Sequence, residues 1–492
     1  MNIVFAISEV EDLVKTGGLA DVGKALPIAL KEAGHNVIIV MPYYQTIATQ
    51  FEMAPEKLVS ACPQQTLFTQ SQVYHFDVKQ LHWNDIDVYF IDYPDYFARE
   101  GLYSNGYDVY SDNGERFSFF SGAVLNALQA IGFQPDIIHC HDWHTAMLPF
   151  LLKYEHSGYF ADTATVFTIH NAAFQGVHRL ENIPFLRHHP GILSQVHGGY
   201  INMLQSGIEF ANKITTVSPT YAQELLTNLG SHGLHDRLVS RQEDLVGILN
   251  GCDYTQWNPQ HDHYLPENYS ADSLHAKSAS KLALQKLATF PEKQNIPLFG
   301  MVCRLTEQKG FGFLLPILNE LMHHQIQMVI VGTGDPEVCM DLGEFAQQHP
   351  DKFEFINGFS TKHAHLVEAG ADFFLMPSQF EPCGLNQMYS LAYGTVPIVR
   401  AVGGLKDTVV DVTQNKQTAT GFVFDEPTPQ ALLGCIRRAL LYFYEHPDEF
   451  KEMQIRGMHT RFTWQAAAKR YAELYEMVSK VDSDKKIDGD SE

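Results

Sequence analysis

Basic residues are scarce: 34 Lys and Arg stand against 57 Asp and Glu, a formal net charge of −23 at pH 7 over 492 residues. A field of that sign and size repels phosphodiester backbones and anionic headgroups, which excludes a general nucleic-acid or membrane-surface binder. An anionic small substrate then requires a local basic pocket set against the global field. The acidity depends on pH, because charging all 24 histidines would carry the net charge from −23 to +1. Cysteines number seven and form no C-x-x-C pair, which excludes a disulfide framework and points to a reducing cytoplasm. No apolar run approaches the roughly 18 residues of a membrane helix. The apolar start, Asn2 to Ile7, lacks a basic flank and is cut by Glu9, Glu11 and Asp12, so it does not read as a secretory signal.

What is present is ample apolar material, 45% of the chain, enough for real cores in two large domains or three ordinary ones, with a cleft between domains expected. Short runs rich in Val, Ile and Phe recur, each followed by a helical-looking stretch. The first series is Asn2 to Ser8, Asn36 to Pro42, Val88 to Tyr93, Asp136 to His141, Thr165 to His170 and Lys213 to Ser218. A second series is Pro297 to Arg304, Gln327 to Gly332, Phe353 to Gly358, Ala371 to Pro377 and Thr395 to Arg400. Nearly continuous apolar strands alternating with helices predict parallel sheets covered on both faces, here two doubly wound α/β domains. The join falls in the polar stretch from about Asn250 to Tyr269. Trp464 to Val478 carries apolar residues at helical spacing, and Ser479 to Glu492 reads as a frayed tail.

Ligands of doubly wound sheets sit beyond the carboxyl ends of the strands, so the segments that end each run carry the chemistry. After the first run comes K-T-G-G-L-A-D-V, Lys15 to Val22. Two glycines allow close backbone approach, and the following helix aims its positive end at any anion; a plain strand-to-helix turn with a solvated lysine fits as well. The segment is neither a Walker loop nor a dinucleotide turn. H-C-H-D-W-H, His139 to His144, ends the Asp136 run. Strand alternation puts His139 and His141 on one face and Asp142 at the strand end. Asp142 reads as a hydrogen-bond acceptor for a sugar hydroxyl ahead of a zinc site, since no second ligand cluster with recognisable spacing exists. T-I-H-N, Thr168 to Asn171, brings His170 and Asn171 to the end of the next run.

In the second series, R-L-T-E-Q-K-G places Arg304 and Lys309 five residues apart across a turn closed by Gly310. Two cations so placed can converge on one diphosphate and supply the local basic pocket that the charge balance demands; two solvated surface cations are the alternative. P-S-Q-F-E-P-C-G-L-N-Q-M, Pro377 to Met388, puts Glu381 beside a turn into a helix whose first amides are free for phosphate oxygens. Gly403 and Gly404 supply a second backbone nest.

Taken in this order, with V-S-P-T-Y, L-N-G-C-D, G-G-L-K-D-T-V and F-T-W between and after them, the motifs closely resemble the glycogen and starch synthase family nearly end to end. The resemblance implies a GT-B fold, two Rossmann-like domains facing a deep cleft. Residues 1–248 would form the acceptor-side domain, completed by a C-terminal helix at about 460–478. Residues 249–459 would bind the donor nucleotide, and 479–492 would form a flexible tail. It implies a retaining glucosyltransferase that moves glucose from ADP-glucose to an α-1,4-glucan, without cofactor or metal. On matching residues, Lys15, Gly17 and Gly18 would face the diphosphate from the first domain, and Arg304 and Lys309 from the second. Glu381 would hold hydroxyls of the transferred glucose. Phe359, Cys383, Gly384, Leu385, Asn386, Gly403 and Gly404 would complete the donor side, while Asp142, His170, Asn171, Asp21 and Asn250 would line the sugar and acceptor side. An oxocarbenium-like transition state suits this division, with carboxylates near the sugar and cations at the leaving group.

The chain departs from the family pattern at Phe359 for tyrosine, Gln379 for arginine, Asn386 for threonine, and Ala401-Val402 where a basic residue and threonine are frequent. These positions bear on donor choice and turnover. A transferase using UDP-glucose or a smaller acceptor, and an inactive glucan-binding protein, are the competing readings.

Overall fold

The computed structural model describes residues 1–52, 54–155 and 158–489. Among them no helix is long and apolar enough to cross a membrane. The chain divides into two units. Met1–Val217, Ala222–Gly251 and the segment from Trp464 onward form the first; Ser218–Tyr221 and Cys252–Thr463 form the second.

The first unit is built on nine strands: β1 (Asn2–Ala6), β2 (Asn36–Pro42), β3 (Leu58–Phe68), β4 (Val73–Trp83), β5 (Ile86–Asp92), β6 (Ile137–His141), β7 (Ala164–Ile169), β8 (Lys213–Thr216) and β9 (Leu245–Gly247). Their order is β9-β8-β7-β6-β1-β2-β5-β4-β3. All neighbours are parallel except β5-β4 and β4-β3. The six apolar runs of the first series each hold a strand. The β3-β4 hairpin is additional, and its physical signature differs: it alternates where the central strands are continuous. Tyr74, Phe76, Val78 and Leu81 of β4 are buried while most of the residues between them are not. In β3 the register slips between Ser60 and Cys62 and again between Cys62 and Gln65, around Pro63 and a left-handed Gln64 (φ 53°). A small antiparallel sheet of Val177–Arg179, Tyr200–Asn202 and Val196–His197 sits in the long connection after β7.

The helix Trp464–Gly489 belongs to this unit and packs on the helix Gly18–Glu32. Its face of Ala467, Ala468, Tyr471, Leu474, Tyr475 and Val478 is buried, as the spacing predicts. The helix continues to Gly489, past the tail expected from residue 479; residues 490–492 lie outside the described residues.

The second unit holds β10 (Leu298–Val302), β11 (Gln327–Gly332), β12 (Phe353–Asn357), β13 (Phe373–Met376), β14 (Val396–Arg400) and β15 (Phe422–Phe424), all parallel, in the order β12-β11-β10-β13-β14-β15. Alternate residues enter two separate cores. Phe299, Met301, Met328, Ile330, Phe373 and Leu375 pack on one face, and Leu298, Val302, Val329, Val331, Phe374 and Met376 on the other. Burial on both faces is why these strands read as continuous apolar runs.

In each sheet the winding direction reverses once, between β1 and β6 in the first unit and between β10 and β13 in the second. The loops after these four strands part at that point and leave room for a ligand at the carboxyl ends. Lys15, Asp142, Arg304 and Glu381 follow β1, β6, β10 and β13 respectively.

Candidate active site

In the first unit the chain leaves β1 through Glu9, whose carboxylate is buried and held by four donors. It accepts from the Thr16 amide at 2.5 Å, the Thr16 hydroxyl at 2.6 Å, the Gly17 amide at 3.2 Å and the Tyr103 hydroxyl at 2.7 Å. Glu9 thus caps the helix Gly18–Glu32, whose N-cap residue Gly17 has no side chain to do so. Of the two glycines expected to face a phosphate, Gly17 has its amide taken by Glu9. A Cβ placed on either Gly17 or Gly18 would meet nothing within 4 Å. Packing within the protein therefore does not require glycine at either position.

Lys15 does not stand free. Its Nζ lies 2.7 Å from Asp21 and 2.9 Å from Glu11. Burial lowers the lysine's pKa, but the two carboxylates outweigh it and the net shift is upward. Burial raises Asp21 to about 6, although Lys15 pulls the other way. The cation is thus matched by two acids.

Asp142 follows β6 in a left-handed conformation (φ 53°), which aspartate tolerates at a cost of about 1 kcal/mol. Its Oδ1 accepts the His170 amide at 2.7 Å and so ties the ends of β6 and β7 together. Burial pushes its pKa to about 7, against the pull of the His170 and Asn171 amides. His170 Nε2 lies 3.0 Å from His141 Nδ1, and burial lowers His170 to about 3, so the ring is neutral. The side-chain oxygen of Asn171 is occupied by the Ala173 amide. Asn250 is buried with its Oδ1 unpartnered. His139 and His141 share a face, as alternation predicts, with their rings packed against each other, centroids 4.1 Å apart and planes inclined at 36°. Among the described residues no group of three or more His, Cys, Asp or Glu is arranged to hold a metal ion.

In the second unit Lys309 Nζ lies 2.6 Å from Glu381 Oε2, which also accepts from the Ser378 hydroxyl at 3.1 Å. Gly310 makes this contact possible. Its φ is +81°, and a Cβ on it would stand 1.9 Å from the Pro377 carbonyl oxygen. Only glycine lets the loop after β10 lie so close to the loop after β13. Arg304 is exposed and forms no hydrogen bond or ion pair with the described residues. Phe359 follows Gly358 (φ 136°) and is 75% exposed, a large apolar ring facing solvent.

The turn after Glu381 is tightly built. Gln387 Nε2 donates to the carbonyls of Cys383 (3.0 Å) and Gly384 (2.9 Å), and Gly384 is left-handed at φ +72°. The amides of Leu385, Asn386 and Gln387, at the start of the helix Asn386–Ala392, have no acceptor among the described residues. Asn386 donates its Nδ2 to the carbonyl of Val302, the last residue of β10, at 2.7 Å. The side-chain amide at this position thus fastens the helix Asn386–Ala392 to the neighbouring strand end. Gly403 and Gly404 differ from the open nest expected. The Gly404 amide donates to the Glu381 carbonyl at 3.1 Å, and a Cβ on Gly403 would stand 2.0 Å from that same oxygen. Their function in the fold is close support of the Glu381 loop.

Sequence reasoning missed Glu9, Glu11, Tyr103 and Ser378 as partners. Glu9 was findable, since it follows the first apolar run by two residues at a strand's carboxyl end. Tyr103 lies in an irregular loop and carries no pattern.

Two family models match the chain: the starch synthase catalytic domain over residues 2–240 and the glycosyl transferases group 1 domain over residues 285–454. Glycogen synthase of Photobacterium profundum is 48% identical over 487 residues, covering 96% of this chain and 94% of that protein. Glycogen synthase of Aeromonas salmonicida is 48% identical over 483 residues, covering 97% and 98%. The catalytic domain of starch synthase IV from Arabidopsis thaliana, bound to ADP and acarbose, superposes with a TM-score of 0.87 at 30% identity, covering 97% of this chain and 99% of that one. Sucrose-phosphate synthase from Thermosynechococcus elongatus shares the fold at a TM-score of 0.59 and 16% identity, covering 98% and 100%. With this likeness over nearly its whole length, the chain belongs to the starch and glycogen synthase family of GT-B glycosyltransferases.

Proposed function

We propose that the chain transfers glucose from ADP-glucose to the non-reducing end of an α-1,4-glucan, with retention at the anomeric carbon and release of ADP. The observation that carries this reading is the Lys309–Glu381 pair at 2.6 Å beside the unpaired Arg304. One loop contact supplies cations for a leaving diphosphate and a carboxylate for sugar hydroxyls, the two needs of an oxocarbenium-like transfer. The Arabidopsis relative, bound to ADP and acarbose, supports a nucleoside diphosphate and an oligosaccharide as the ligand types.

On this reading Arg304, Lys309 and Lys15 take the diphosphate, helped by the amides of Gly18, Leu385, Asn386 and Gln387. Lys15 exchanges Asp21 and Glu11 for phosphate oxygens, and Lys309 exchanges Glu381. Each exchange frees a carboxylate as the positive charge develops at the anomeric carbon. Glu381, Asp142 and His170 hold glucose hydroxyls, Asp21, Asn171 and Asn250 serve the acceptor side, and Phe359 stacks on the base. As the glucosyl bond to the diphosphate breaks, the leaving phosphate oxygen takes the proton of the acceptor hydroxyl on the same face.

The test is product analysis. With ADP-glucose and a maltooligosaccharide, NMR of the elongated chain should show new α-1,4 linkages equal in number to the ADP released. A β-linkage, or free glucose in place of chain growth, would count against retention or against transfer.

A further inference from the structure

Behind Asp142 and His170 the first unit carries a buried row of polar rings and hydroxyls that the transfer reaction itself does not use. Tyr475, on the helix Trp464–Gly489, places its hydroxyl 2.7 Å from His139 Nδ1. His139 Nε2 lies 2.6 Å from the Thr168 hydroxyl, which lies 2.5 Å from the Thr215 hydroxyl. The His139 ring packs against His141 with centroids 4.1 Å apart and planes inclined at 36°, and His141 Nδ1 lies 3.0 Å from His170 Nε2. Tyr475, His139, His141, Thr168 and Thr215 are all fully enclosed.

Enclosure fixes the proton positions, because a buried N–H or O–H without an acceptor is costly. Tyr475 has one hydroxyl proton, and His139 Nδ1 is the acceptor within reach. Tyr475 therefore donates, His139 carries its own proton on Nε2, and that proton goes to Thr168. Burial holds both His139 and His141 well below their usual pKa, so each ring has one proton to place. His141 Nε2 is buried with no partner among the described residues, whereas its Nδ1 faces His170 Nε2. The His141 proton belongs on Nδ1, where an acceptor waits. His170 Nε2 must then be the unprotonated nitrogen, and the His170 proton sits on Nδ1, which makes no hydrogen bond with the described residues.

We propose that His141 is the positioning residue that fixes the tautomer of His170, presenting its Nδ1–H as a donor toward the sugar, and that Tyr475 and His139 hold the His141 ring in place through the ring contact. This rests on the reading of His170 as a sugar-facing group. It gives the C-terminal helix a task beyond packing, since the helix supplies the hydroxyl that starts the row.

The experiment uses the full chain labelled with 15N-histidine, with the His170 signals identified by their loss in His170→Gln. The expected pattern is a protonated Nδ1 and an unprotonated Nε2 on His170. Tyr475→Phe keeps the ring and removes the hydroxyl; it should mix that pattern and lower kcat roughly tenfold with KM little changed. His141→Asn places an amide nitrogen near the Nδ1 position and should keep kcat within about threefold, whereas His141→Leu should lose roughly 100-fold. Melting curves report any loss of folding separately. A His170 protonated on Nε2 in the wild-type chain would overturn the proposal. So would a Tyr475→Phe variant that melts earlier yet retains both kcat and the His170 pattern. Full activity of His170→Ala would instead remove the sugar-facing role, and the two failures are told apart because the NMR pattern needs no turnover.

Discussion

Replacing Gly310 by alanine tests how the donor side is assembled. In the structure an added Cβ stands 1.9 Å from the Pro377 carbonyl oxygen, where ordinary contact begins at 3.4 Å, so the loop must withdraw by about 1.5 Å. Displaced directly away, Lys309 would lie about 4 Å from Glu381 in place of 2.6 Å, at the limit of an ion pair. The left-handed φ of +81° adds about 1–2 kcal/mol of strain for any residue with a Cβ. A displacement of an ångström or more in a positioned catalytic group costs roughly 100-fold in rate. We therefore expect Gly310→Ala to lower kcat about 100-fold with ADP-glucose and glycogen, and to lower the Tm by several degrees. Gly312 is the internal control: its Cβ would meet nothing within 4 Å, so Gly312→Ala should match the wild type. Wild-type kcat in Gly310→Ala, or equal losses in both variants, would refute this account of the loop.

Gly18→Ala separates ligand approach from folding. Its Cβ has open space, so the Tm should hold while KM for ADP-glucose rises and kcat falls; unchanged kinetics would mean that no ligand comes near Gly18. Arg304→Ala removes a cation with no partner and should cut kcat roughly 100-fold without moving the Tm. Lys15→Ala should cut kcat similarly and also leave Asp21 unmatched, with Glu11 keeping only Lys24, driving Asp21 above its value of about 6, which carboxyl titration by NMR can follow. Acid stability follows from the buried histidines. His144 and His170, at about 3, and His139 and His141, well below normal, are neutral when folded but take protons below about pH 6.5 when unfolded. Their contribution is present above that pH, and each loses about 1.4 kcal/mol per pH unit below it. Asp142, raised to about 7, Asp21, raised to about 6, and the buried Glu368, also raised, have the opposite sign and recover part of that loss as the pH falls. Stability measured by denaturant should therefore drop steeply from pH 6.5 to 5.5, and a flat profile would show that these histidines are not buried neutral.

Much of the fold could be read because both sheets are covered on two faces. Burial on both sides makes a strand a continuous apolar run, and β1, β6, β10 and β13 were recognisable for that reason, together with the loops that follow them. The β3-β4 hairpin escaped because it lies at the sheet edge, where alternation replaces continuity and Pro63 breaks the pattern. Arg304, Lys309, Glu381 and Asp142 were legible from charge type at strand ends. Their partners were not. That Glu9 occupies the Gly17 amide, that Asp21 and Glu11 hold Lys15, and that Gly404 serves the Glu381 carbonyl are matters of loop closure. The spacing of residues along the chain does not encode them. The overall acidity gains a local meaning here. Lys15 and Lys309 of the candidate loops are matched to carboxylates, whereas Arg304 has no such partner among the described residues.

The central claim is transfer of glucose from ADP-glucose by these matched charges. It is tested most directly by a competition assay holding ADP-glucose and UDP-glucose at equal concentration with glycogen, in which both released nucleotides are measured. The account predicts glycogen-dependent release of ADP well in excess of UDP, abolished together with chain growth in Glu381→Gln. Predominant UDP release would contradict the donor assignment, and absence of any glycogen-dependent nucleotide release would contradict the enzyme reading.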